Sequence, residues 1–312
     1  MLCHSSRGRA ILLLWLAVAF ASELPTGGAK APECGPDTKC GVVDIPYPFS
    51  IQAGCAMTDD FQLDCIDDSR PFSGSYEVLN ISLQLTPAAE LDILFLLQHH
   101  IFRDGRLIRV HGTLSTPFRY SDTGNKFTVM GCRTLAYIIT DLSSNYMSGC
   151  VSTCWQGDVM SATNGSCSGI GCCQTAIPKD LQDYYVFFDE GLNTSEPIYS
   201  ATPCSYAMLM DSSNFTFSTS YLTSLEFYNT YGGWAPMVLD WAIRTANNCE
   251  EAKNNHTLSY ACKSDNSECI NSSNGPGYIC NCTKGYQGNP YRQNGCQGKI
   301  PCNPIIATIL KL

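Results

Sequence analysis

Histidine is scarce in this chain: five residues in 312. Beyond the first 21 residues they are His99, His100, His111 and His256. No nucleophile elbow, zinc-protease motif or recognisable carboxylate dyad accompanies them, so the chain is expected not to be an enzyme. Asp and Glu are numerous, and a glycosidase-type carboxylate pair stays open at this level. Metal-ligand spacing is also missing. Cys280-Asn281-Cys282 is too close for a paired zinc knuckle, and Cys150-x3-Cys154 has no His at a suitable distance after it. Adjacent His99 and His100 point to opposite faces of a strand. No metal and no cofactor are therefore expected. Positive charge is short as well: 19 Lys and Arg stand against 28 Asp and Glu, a net of −9. A chain this acidic has no general attraction for nucleic acid or anionic lipid. No long amphipathic helix, internal repeat or low-complexity linker stands out.

Long apolar runs are missing too. Ala10–Phe20 is unbroken but only 11 residues long, too short to span a hydrocarbon core of about 30 Å as a helix. Arg7 and Arg9 precede it, and Ala19-Phe20-Ala21 follows with the small-x-small pattern of a cleavage site. Residues 1–21 read as a signal peptide removed before Ser22, with a retained signal anchor as the weaker alternative. The chain that follows carries 17 basic and 28 acidic side chains, a net of −11.

What the sequence has in abundance is cysteine, with 19 residues. Cys3 leaves with the signal peptide, and 18 remain. Such a load belongs to an oxidising compartment, where it becomes crosslinks. Asn-x-Ser/Thr sequons begin at Asn80, Asn164, Asn193, Asn214, Asn255, Asn271 and Asn281, so a glycosylated surface is expected. The apolar pattern consists of short runs. Ile81, Leu83 and Leu85 alternate with polar residues. Phe127–Met130, Tyr137–Thr140, Tyr184–Phe188 and Asn214–Ser218 are rich in aromatic or β-branched residues and bounded by turn formers. Leu91–Gln98 fits a buried strand or a helical turn. The fold class expected is mainly β, disulfide-rich and loop-rich.

Residues 249–296 hold Cys249, Cys262, Cys269, Cys280, Cys282 and Cys296. Six cysteines allow fifteen pairings on arithmetic alone. The spacing, with Gly285-Tyr286-Gln287-Gly288 before the last cysteine, resembles the EGF-like module. That resemblance implies Cys249–Cys269, Cys262–Cys280 and Cys282–Cys296. A segment this short buries little surface, so crosslinks must supply its stability. The preceding Thr245-Ala246-Asn247-Asn248 lacks the carboxylates a hard cation needs, so no calcium is expected.

Cys40-Gly41-Val42-Val43-Asp44-Ile45-Pro46-Tyr47-Pro48-Phe49-Ser50-Ile51, then Gly54-Cys55 and Phe61-Gln62-Leu63-Asp64-Cys65, resemble the galacturonan-binding domain of plant wall-associated receptor kinases. Gly131–Tyr137, Gly149–Cys154, Cys167–Gln174, Cys204–Ala207 and Trp241-Ala242-Ile243 extend the likeness over about residues 34–296. The resemblance implies a galacturonan-binding-like cysteine-rich domain over 34–100, a cysteine-rich extension over 101–245, the EGF-like module over 249–296 and a divergent tail over 297–312. It implies an extracellular, cell-wall location and a pectin or oligogalacturonide ligand, with receptor ectodomains or peptides as alternative partners and a soluble decoy as an alternative role. No kinase catalytic-loop, Asp-Phe-Gly or Gly-rich-loop motif is present, and no membrane span. The tail departs from the family, in which a second module, a membrane helix and a kinase would follow; a truncated product is expected, with the outer face of the plasma membrane the location if the natural product runs on. Cys302 lies beyond the match.

A polyanionic ligand needs local cations. Residues 99–133 contain Arg103, Arg106, Arg109, Arg119, Lys126 and Arg133 against Asp104 and Asp122, a local +4. Arg donates two parallel hydrogen bonds to a carboxylate, and Phe102, Phe118 and Tyr120 could stack on sugar rings. These six cations are the candidate ligand contacts, weighed against a merely solvated strand face.

Overall fold

A computed structural model describes residues 34–35, 38–83, 90–96, 99–101, 110–140, 146–155, 161–189, 191, 204–232, 234–255 and 259–299, with backbone only at 90–96, 99–101, 110 and 204. These residues belong to one compact unit. It is mainly β and disulfide-rich, and the longest described helices, Glu226–Tyr231 and Cys249–Asn254, have six residues each.

Three antiparallel sheets form the body. The largest has six strands in the order Asp64–Ile66, Arg70–Ser73, Tyr76–Ile81, Glu90–Leu96, Trp234–Trp241 and Phe118–Tyr120. A second runs Cys172–Thr175, Asn125–Met130, Cys204–Asp211, His99–Ile101. The third runs Met147–Thr153, Arg133–Ile139, Asp183–Phe188, Val110–Thr113. The expected division at residue 100 does not separate two folds. Strands from both sides of it share the six-stranded sheet, and Glu90–Leu96 pairs along its whole length with Trp234–Trp241.

Burial explains the sequence patterns. Arg133–Ile139 and Asp183–Phe188 bury every second residue, as half-buried strands do. Cys204–Asp211 shows no such alternation because both of its faces are covered. Ala207 and Leu209 join Phe127 and Val129 in the main core. Tyr206, Met208 and Met210 join Met130, Leu222 and Phe227 in a satellite core. Leu91–Gln98, ambiguous in sequence, is strand over Glu90–Leu96. Asn214–Ser218 is not a strand. The Asp211 carboxylate accepts from the Ser213 amide, the Ser213 hydroxyl and Asn214 Nδ2. That local closure ends the preceding strand, and the Phe217 carbonyl accepts from Gly165 N instead of from a ladder. Leu85 lies outside the described residues.

Disulfides join Cys34–Cys55, Cys40–Cys65, Cys132–Cys154, Cys150–Cys173 and Cys167–Cys172 in the body. Cys249–Cys269, Cys262–Cys280 and Cys282–Cys296 crosslink the EGF-like segment. That segment has a short helix, Cys249–Asn254, and two hairpins, Ser267–Asn271 with Tyr278–Cys282 and Tyr286–Gly288 with Cys296–Gly298. Asn248 Oδ1 caps the helix by accepting from Glu251 N, and Glu251 Oε2 accepts in return from Asn247 N. The segment is not a separate bead. Tyr278, Ile279 and Tyr291 belong to the same core as Phe49, Phe61, Phe118 and Trp241.

Candidate functional site

Of the six candidate cations, the three among the described residues, Arg119, Lys126 and Arg133, lie on three different strands. Arg103, Arg106 and Arg109 lie outside the described residues. Lys126, half-buried, and Arg133, exposed, sit on successive strands. Four residues of extended chain separate Lys126 from Met130 alone, about 13 Å. Arg119 has a different role from the one expected. Its side chain is 9% exposed; Nε donates to Asp180 Oδ1 at 2.6 Å, and Nη1 donates to the Thr116 and Phe118 carbonyls. A guanidinium so enclosed holds structure together and is withdrawn as a ligand contact. Of the histidines, His111 stacks on Tyr185 at 4.2 Å and its Nε2 lies 2.8 Å from Thr113 Oγ1. His99 and His100 occupy a strand paired with Cys204–Tyr206, and His256 lies outside the described residues. The sequon asparagines Asn80, Asn164, Asn214 and Asn271 are exposed, and Asn255 and Asn281 are half-buried; Asn193 lies outside the described residues.

Arg119 belongs to a polar junction beneath the EGF-like module. Asn274, fully buried, donates through Nδ2 to the Tyr120 carbonyl and Asp240 Oδ2, and accepts from Asp180 N at Oδ1. Arg244 donates to the Pro117, Asn274 and Pro276 carbonyls. Burial, helped by neighbouring Arg119, pulls the Arg244 pKa down to about 10. Burial pushes the Asp240 carboxyl up, opposed by hydrogen bonds from Asn274 and Ser121.

Two clefts contrast in charge. One of about 400 Å³ carries Asp59 and Asp60 on its rim beside Gln62, Tyr76 and Phe118, with no cation among its lining residues. It would repel an acidic ligand. The other, about 290 Å³, is built by the turn-rich segment 45–57. Cys55 N donates to Gln52 O and Met57 N to Pro48 O, and Cys34–Cys55 closes the rim. Ile45 and Phe49 form its apolar floor, while Tyr47, Ser50 and Gln52 supply polar atoms. Among the described residues that line it, the single charged one, Arg292, comes from the EGF-like module. Arg292 Cζ stands over the Tyr47 ring at 5.3 Å from its centroid. Asn289 Nδ2 donates to the Tyr47 carbonyl at 2.6 Å, and Tyr291 packs against Trp241 with ring centroids 5.7 Å apart. Burial raises the Tyr47 hydroxyl pKa, and Arg292 opposes that rise.

The family described as "Wall-associated receptor kinase galacturonan-binding" matches residues 34–87, the segment that builds this cleft. Over 283 residues the chain is 32% identical to Wall-associated receptor kinase 2 of Arabidopsis thaliana, covering 88% of this chain and 36% of that protein. The chain is a wall-associated receptor kinase-like ectodomain. Wall-associated receptor kinase 3 of the same plant is 33% identical over 287 residues, and Wall-associated receptor kinase 1 is 28% identical over 297. This ectodomain sequence spans 36–38% of the length of these three relatives. No solved structure matches. Within the wall-associated receptor kinase-like ectodomain, the family-matched segment supplies the floor and rim of the neutral-walled cleft, and a residue far outside it supplies the charge. Sequence reading missed Arg292 because its partner Tyr47 is remote in the chain and no local period links them.

Proposed function

We propose that this ectodomain binds galacturonan, the acidic polymer of pectin, outside the plant cell in or against the wall. The match of residues 34–87 to the galacturonan-binding family carries the reading. The crosslinked fold and solvent-reachable sequons suit that compartment. The role is recognition without catalysis. In an acidic chain, attraction for a polyanion comes from local cations. Lys126 and Arg133, with Arg103, Arg106 and Arg109, are the proposed long-range contributors, the last three from outside the described residues.

Titration of the secreted protein with oligogalacturonides of differing methyl-esterification tests the reading. De-esterified chains bind, and affinity falls as salt rises. Absence of binding overturns the proposal. So does release of shortened oligogalacturonides, which would make the protein a hydrolase. A wall-protein partner whose binding ignores both salt and oligogalacturonide competition would point instead to a peptide-binding ectodomain.

A further inference from the structure

The cleft at residues 45–57 has an uncommon construction: its walls and its charge come from opposite ends of the described sequence. Tyr47, Ser50 and Gln52 lie in the family-matched segment. Arg292 reaches the same cleft from the loop between Cys282 and Cys296 of the EGF-like module. We propose that the EGF-like module completes the galacturonan site, with Arg292 as the group that recognises a uronate carboxylate. The inference rests on the reading above and names the contact within it.

Four observations support the assignment. First, Arg292 carries the only formal charge among the described residues that line the cleft. An anionic sugar entering there meets a cation. Second, Arg292 is half-buried, and its guanidinium stands over Tyr47. A cation over an aromatic ring is held through its face, while the planar N–H fork is the part that pairs with a carboxylate. A partly enclosed pair is also less screened by salt than a fully exposed one. Third, the loop that presents Arg292 is fixed. Asn289 bonds to the Tyr47 carbonyl, Tyr291 is buried against Trp241, and the Tyr291 hydroxyl accepts from Cys280 N at 2.9 Å. The cation is therefore positioned relative to the cleft before a ligand arrives, which lowers the ordering cost of binding. Fourth, a neutral polar side chain lines the same cleft. The exposed Gln52 amide can meet sugar hydroxyls, its Oε1 accepting from Gly35 N at 3.3 Å, while the buried Ser50 hydroxyl bonds to the Gln52 backbone and holds that turn.

The module has another pair of cations, Lys284 and Lys299, in a separate cleft of about 390 Å³ that also contains Asn281 and Glu268. That cleft supplies a charge-matched control. Arg292→Gln and Lys299→Gln change the net charge equally, Lys299 lying just past the last cysteine of the module. The measurement is affinity of the full chain for a de-esterified oligogalacturonide and for its methyl ester, across a salt series, with thermal unfolding of each variant alongside. Wild type is expected to prefer the free acid. Arg292→Gln should lower free-acid affinity roughly ten- to hundred-fold, the scale of a lost charge-assisted pair, and remove the preference over the ester. Arg292→Lys should keep the salt dependence yet bind less tightly, since the charge persists without the fork. Lys299→Gln should leave the preference in place. If Arg292→Gln retains the free-acid preference while wild type binds, the composite site is wrong and the galacturonan reading survives. Loss of the preference in Lys299→Gln to the same degree overturns the assignment in favour of a diffuse charge effect. If wild type binds neither form, the galacturonan reading fails and the inference with it.

Discussion

Asn274 joins three parts of the chain through single atoms. Its replacement by Ala leaves the Tyr120 carbonyl, an Asp240 oxygen and the Asp180 amide without that partner. The two buried acceptors, the Tyr120 carbonyl and the Asp240 oxygen, cost about 1–3 kcal/mol each when orphaned, so Asn274→Ala should lose about 2–6 kcal/mol in urea unfolding with disulfides intact; a loss below about 1 kcal/mol would contradict this account. Asp240 makes a pH prediction. Burial raises its folded pKa above the ordinary 3.8. A raised carboxyl favours the protonated fold, so its contribution is present below the unfolded value and is lost as pH rises through the folded one. Asp240→Asn keeps a carbonyl oxygen for Asn274 and removes the titration. Its stability relative to wild type should rise as pH climbs above the ordinary carboxyl value, read from urea midpoints; a flat difference would refute the assignment. Arg119 shows why single residues were the least legible part of the sequence. A cation on a short strand reads as solvated, and Asp180, which neutralises it, lies 61 residues away. Arg292 escaped for the same reason. Cysteines and sequons, by contrast, carry their chemistry in the residue type itself.

Strands were legible where one face met solvent. Tyr137–Ile139 and Tyr184–Phe188 alternate in burial, although their sequences are continuous aromatic and β-branched runs, so composition and flanking turn formers marked them as strands. Cys204–Asp211, covered on both faces, has the unbroken run Tyr206–Met210 and no period to read. Asn214–Ser218 misled because β-propensity cannot see the Asp211 turn that closes the backbone. The approach of the EGF-like hairpin to the body was also invisible. Gly277 has φ of +128°, and a Cβ there would meet the Ile243 carbonyl at 2.9 Å. Gly277→Ala should therefore weaken the Ile243–Tyr278 bridge as well as strain the turn, and faster amide exchange at both residues is the expected readout. Crosslinks matter most in this element. Opening Cys282–Cys296 by a double Ser substitution, across a separation of 14 residues, should cost about 3 kcal/mol on the chain-entropy account, measured as a shift in thermal unfolding.

At the scale of the molecule, the aromatic contacts Phe49–Trp241, Phe61–Trp241 and Trp241–Tyr291 form one core. Cysteine motifs mark segments along the sequence, while packing unites them. The body and the EGF-like module should accordingly unfold in one cooperative transition. Two calorimetric transitions, with module amides exchanging first, would refute that. The strand Trp234–Trp241 also has a consequence in time. It lies between Glu90–Leu96 and Phe118–Tyr120, two strands synthesised long before it. At about 5–20 residues per second, the roughly 110 residues that intervene between Tyr120 and Trp234 take on the order of 6–20 s to emerge. During that interval the nascent sheet has two open edges and the Phe49–Phe61–Phe118 cluster has no Trp241 to cover it. The short-range pairs Cys34–Cys55 and Cys40–Cys65 are complete in sequence by then, so oxidation can lock the first segment while its core is still waiting. Maturation of this ectodomain is thus a problem of order: the last strand of the six-stranded sheet to arrive seals the first part of the fold to be made.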